Sequence, residues 1–120
     1  MTEPNRPVAH IGSMKILMLL FAFACLGATG PQAVPSQTVH IKDFAFKPAI
    51  VTIHVGDTVR FVNDDDEAHT ATANDGSFDS KGLDTHDRWQ FTFTKAGTFA
   101  YICSLHPYMK GKIVVEAAKR

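Results

Sequence analysis

From Thr38 onward the chain is a succession of β-branched and aromatic runs, five to nine residues long: TVHIKDFAF, IVTIHV, TVRFVN, HTATA, RWQFTFT, TFAYIC and KIVVE. Turn-forming residues separate them at KPA, GD, DDDE, NDGS and KAG, and nowhere does the apolar spacing settle into a helical period of useful length. Runs this short cross a sheet once and must then reverse. Many of them in series, with no helices between, predict an all-β sandwich.

The side-chain alternation agrees. In TVRFVN, Val59 and Phe61 share a face with Asn63, and in RWQFTFT the residues Trp89, Phe91 and Phe93 stand opposite Arg88, Gln90 and Thr92, because successive residues of a strand point to opposite sides of the sheet. Each of these strands offers one apolar side to a core. TFAYIC is apolar on both sides, which predicts a central strand that delivers Cys103 to one end of the sandwich.

The N-terminal quarter has a different character. Lys15 followed by ILMLLFAFACLGATG gives a positive charge, an apolar stretch of about eleven residues and then small residues, the pattern of a cleavable secretory signal peptide. The stretch is too short for a bilayer span, which needs about twenty apolar residues. Met14 is then a candidate true start. Cleavage is expected after Ala24 or near Ala33, with lipidation of Cys25 as the minority alternative. The chain therefore divides into residues 1–33, a signal peptide and N-terminal segment, and residues 34–120, the folded domain, which is expected to be periplasmic or otherwise exported.

Over residues 34–120 there are 11 acidic and 10 basic side chains, a balance that gives no electrostatic reason to expect nucleic acid as a partner. The same segment holds one cysteine, Cys103, in a compartment where cysteines usually pair. Metal ligation explains a lone exported thiol.

The stretch YICSLHPYMKG places Cys103, His106 and Met109 at intervals of three, a thiolate, an imidazole and a thioether within seven positions. Upstream, FVNDDDEAHTATA supplies His69 in a loop after a strand. Two imidazoles, a thiolate and a weak axial thioether are the donors that suit an ion cycling between Cu(I) and Cu(II). Zinc would accept Cys and His, but a thioether is a poor ligand for it. A buried structural thiol is the default for Cys103 in isolation, and the spacing to His106 and Met109 argues against it. A thiol hydrolase built on Cys103 and His106 lacks an orienting third group, and a multicopper oxidase or nitrite reductase needs more histidines and a longer chain.

Residues 38–116 resemble the cupredoxins, the blue type 1 copper proteins, and within them the plastocyanin/amicyanin-like branch. The shared features are VGDTVRFVN, the His69 loop, GSFDS, FTFTKAGTFAYIC and the ending C-x2-H-P-x-M-x-G-x-I-V-V. The two-residue spacings between Cys103, His106 and Met109 match the short ligand loop of the amicyanin type. The resemblance implies a Greek-key β-sandwich holding one copper ion on His69, Cys103, His106 and Met109. It also implies a monomeric electron carrier rather than an enzyme, with transient redox protein partners docking near His106, Pro107 and Tyr108, where Leu105 adds to an apolar surface. A copper-delivery protein of the same fold is the alternative. One departure concerns Thr70: many members carry Asn directly after the first ligand histidine, bonding the two ligand loops together, and a threonine hydroxyl is expected to make one such bond.

The remaining histidines of the domain, His40, His54 and His86, read as surface or hydrogen-bonded residues. The acidic run Asp64, Asp65, Asp66 and Glu67 reads as a solvated loop, whose nearness to His69 allows a role in partner steering or in tuning the copper potential.

Overall fold

The computed structural model describes residues 33–119. The proposed signal segment and Cys25 lie outside the described residues. Among the described residues eight strands follow one another, β1 (Gln37–Ile41), β2 (Phe46–Lys47), β3 (Ile50–His54), β4 (Thr58–Asn63), β5 (Thr72–Ala73), β6 (Arg88–Thr92), β7 (Gly97–Cys103) and β8 (His106–Glu116). They form two four-stranded sheets, ordered β2-β1-β4-β6 and β3-β8-β7-β5. The chain alternates between the sheets from β3 to β7, as a Greek-key sandwich must. β1 runs parallel to β4 and β3 parallel to β8, while the remaining pairs are antiparallel.

The alternation expected from sequence sets the core. Val59, Phe61 and Asn63 on β4 are all buried, as are Val39 and Ile41 on β1, and across the sandwich Val51 and Ile53 on β3. From the facing sheet, Tyr101, Cys103, Ile113 and Val115 point inward and are buried. Tyr101 meets Phe46 at 4.6 Å and Phe61 at 5.5 Å between ring centroids, both edge-on, and Phe78 links this group to Trp89 and Phe93. Inward-facing aromatics of this size supply much of the apolar burial that a domain this small needs.

Three expectations are corrected. First, TVHIKDFAF is two strands. Lys42 and Ala45 exchange both backbone hydrogen bonds, at 3.0 and 3.1 Å, and Asp43 and Phe44 between them have φ of 55° and 56°. That is a two-residue hairpin loop with positive φ at both central positions, a geometry usually signalled by Asn-Gly; here no glycine marks it. Second, the last strand begins at His106 rather than Lys112, so the ligand loop is a hairpin end: Cys103 lies opposite His106, with a register shift between Ile102 and Cys103. Third, β7 is an inner strand, but its outward side is not covered, since Ala100 is exposed and Ile102 half-buried.

Candidate metal centre

Asn63 ends β4 and organises the loop that carries the first imidazole. Its side-chain amide donates to the carbonyls of Glu67 (2.8 Å) and Leu83 (2.9 Å), and its oxygen accepts from Asp65 N–H at 2.9 Å. His69 then exchanges two backbone hydrogen bonds with Leu83, at 3.1 and 2.7 Å. The loop is thereby fixed at both ends, and the His69 side chain is fully buried.

This brings together donors that the sequence separates, with His69 34 positions before Cys103. Cys103 Sγ lies 3.7 Å from His69 Nδ1 and 3.6 Å from His106 Nδ1, and the three donor atoms all fall within 4.8 Å of one another. Bonds of about 2.3 Å to thiolate and 2.0–2.1 Å to imidazole, at angles between tetrahedral and trigonal, put sulfur and nitrogen about 3.5–3.8 Å apart. Both separations fall in that range. The convergence of two imidazole nitrogens on one thiol sulfur suits a shared metal ion. Met109, three residues after His106 on β8, is 2% exposed, and its thioether completes a donor set positioned as a type 1 copper site.

Thr70 does the work expected of the residue after the first imidazole. Its backbone N–H donates to Cys103 Sγ at 3.3 Å. Its hydroxyl accepts from Ser104 N–H at 2.8 Å and lies 3.1 Å from Ser104 Oγ, which ties the His69 loop to the Cys103 turn. Ala71 continues the restraint, donating to Ser80 Oγ at 2.8 Å.

Two residues of the site were not singled out from sequence. Asp65, expected in a solvated run, is 6% exposed and accepts from His69 Nε2 at 2.9 Å. Only its neighbours match the expectation: Asp66 and Glu67 are exposed, and Asp64 bonds His40 at 2.7 Å. The signal available was spacing, since Asp65 stands four residues before His69. Phe44 sits edge-on to both imidazoles, at 5.1 Å from each. Burial pushes the Asp65 carboxyl pKa up, but the N–H groups of Phe44 and Asp43, together with His69, outweigh it and hold it below the ordinary carboxylate value.

Around the outer imidazole the surface is apolar. His106 is half-buried, Pro107 is exposed, and Phe44, Leu105 and Tyr108 are 38%, 55% and 67% exposed. The other described histidines stand apart from the centre: His40 pairs with Asp64, His54 lies 3.6 Å from Glu116, and His86 is exposed.

Comparison with known proteins agrees with this geometry. The family model of the cupredoxin-like domain matches residues 15–115. Amicyanin-alpha of Methylorubrum extorquens is 31% identical over 118 residues, covering 92% of this chain and 99% of that protein. Among solved structures, a variant of amicyanin in its Cu(I) form superposes with a TM-score of 0.62 at 28% identity, over 66% of this chain and 80% of that one. The copper-containing nitrite reductase of Thermus scotoductus gives a TM-score of 0.64 at 39% identity over 75% of this chain, which spans only 24% of the reductase. The chain belongs to the cupredoxin-like family.

Proposed function

We propose that this protein is an exported one-electron carrier that binds a single copper ion through His69, Cys103, His106 and Met109. Bound copper supplies the Cu(I)/Cu(II) couple, and the rest follows from the chain's own residues. The observation that carries the reading is a buried donor set with one partly exposed edge: His69, Cys103 and Met109 are at most 2% exposed, whereas His106 is half-buried within the patch of Phe44, Leu105, Pro107 and Tyr108.

Four protein donors form a closed set. Catalytic metal sites keep a position open for substrate, so the arrangement favours a carrier over an enzyme. The backbone bonds on His69 and the Thr70 hydroxyl hold the donors in place in either oxidation state. A centre that moves little between states exchanges electrons with little reorganisation. The apolar rim allows a redox partner to approach His106 and leave again, as small transient interfaces do. The resemblance between this chain and amicyanin supports that use, and the sequence pattern of a signal peptide from Lys15 onward supports export.

Repeated oxidation and reduction of the copper-loaded domain, with a Cu(I)-specific chelator present, tests the proposal. A carrier keeps its copper through many cycles. Surrender of Cu(I) to the chelator in the first cycle would contradict it and favour copper delivery.

A further inference from the structure

The hairpin loop at Asp43 and Phe44 is energetically odd. Positive φ at both positions, 55° and 56°, suits Gly or Asn, and a bulky residue such as Phe is strained there. Strain of this kind persists only where the surroundings hold it. The holder is Asp65: its Oδ1 accepts from Asp43 N–H at 2.7 Å and its Oδ2 from Phe44 N–H at 2.9 Å.

The same Oδ2 accepts from His69 Nε2 at 2.9 Å. A carboxylate only accepts, so Nε2 must carry the proton, and the lone pair of the neutral ring is left on Nδ1, the atom that faces Cys103 Sγ. One buried anion therefore orients the imidazole, selects its tautomer and pins a strained turn. Because the turn is pinned, the Phe44 ring lies edge-on to His69 and His106 together, and the two rings lie 5.0 Å apart.

We propose that Asp65 is a positioning residue of the metal centre, which fixes His69 with Nδ1 toward the ion and, through the Asp43–Phe44 turn, holds Phe44 against both imidazoles. This rests on the copper reading above. A carboxylate behind a metal-bound imidazole raises its basicity, and loss of such a partner typically weakens metal binding by about 10–100-fold. The effect is greater for Cu(II), the ion with the greater demand for donor electrons, than for Cu(I).

Two variants separate positioning from mere folding. Asp65→Asn keeps the shape, but its amide NH2 must face one of the three N–H donors, so at least one bond is lost along with the charge. Phe44→Gly suits the positive φ of the turn and removes the ring. Cu(II) and Cu(I) affinities are read by chelator competition, the potential by voltammetry, and folding by thermal unfolding of the metal-free proteins. Asp65→Asn is expected to lose about 10–100-fold in Cu(II) affinity and less in Cu(I) affinity, so that its potential rises. Phe44→Gly is expected to unfold no earlier than wild type when metal-free, yet to release copper several-fold faster. Equal losses of Cu(II) and Cu(I) affinity in Asp65→Asn, with an unchanged potential, would overturn the inference. Should Asp65→Asn fail to fold, copper release from Phe44→Gly at the wild-type rate would overturn it. A wild type that binds no copper would overturn the copper reading and this inference with it, whereas a copper-binding wild type with unaffected variants would overturn the inference alone.

Discussion

Gly111→Ala is expected to destabilise the domain by adding one methyl group. Gly111 lies directly across from Tyr101 in the β7–β8 pair, and a Cβ there would fall on the Tyr101 ring, well inside van der Waals contact with Cζ, Oη and Cε1. The φ of Gly111 is not in the left-handed region, so the backbone tolerates alanine and the penalty is steric. Tyr101 has nowhere to go. It is 1% exposed, and Phe46, Phe61 and Phe78 stand 4.6, 5.5 and 5.8 Å away between ring centroids. Overpacking of a well-filled core costs about 1–3 kcal/mol. For a domain of this size each kcal/mol lowers Tm by roughly 4–8 °C. Thermal unfolding of the metal-free protein measures the loss, and a double-mutant cycle assigns it. In a Tyr101→Leu background the added methyl has room, so Gly111→Ala should there cost less than about 0.5 kcal/mol. An unchanged Tm in the single variant, or the same loss in both backgrounds, would refute the steric argument.

Other perturbations test the ligand loops. Met109→Leu removes the thioether while roughly keeping its buried volume, and because the thioether favours Cu(II) over Cu(I), the potential should rise; Met109→Gln supplies a harder oxygen and should lower it, with voltammetry deciding both. Equal potentials in all three proteins would make Met109 a core filler. Thr70→Val leaves Ser104 N–H without the acceptor it has at 2.8 Å, at a cost of about 0.5–1.5 kcal/mol, and should lower Tm and speed copper loss to a chelator; an unchanged release rate would mean that the tie between the loops is dispensable.

Much of this architecture was legible in the order of residues, for identifiable reasons. Strand β4 reads correctly because Val59, Phe61 and Asn63 alternate with less buried neighbours, and Cys103, His106 and Met109 stand out because they sit at spacings that few other uses require. The first hairpin did not read. Its turn is stabilised by a carboxylate more than twenty positions away, so local composition around Asp43 and Phe44 carries no glycine to announce it. Asp65 was hidden for the complementary reason: within a run of four acidic residues nothing local distinguishes the one that turns inward, and only the folded His69 loop selects it. The apolar surface around His106 was partly visible. Leu105, Pro107 and Tyr108 adjoin His106 in sequence, while Phe44 reaches it only through the fold.

Binding of copper by a Cys103 thiolate beside two imidazoles is read from the visible spectrum of the purified domain on addition of one equivalent of Cu(II). Thiolate bonding to Cu(II) gives intense charge-transfer absorption, so the wild type should turn blue, with the colour saturating at one copper per chain and absent from a folded Cys103→Ser variant. A wild type that binds one equivalent of Cu(II) and stays colourless, or a Cys103→Ser variant that remains blue, would contradict the account.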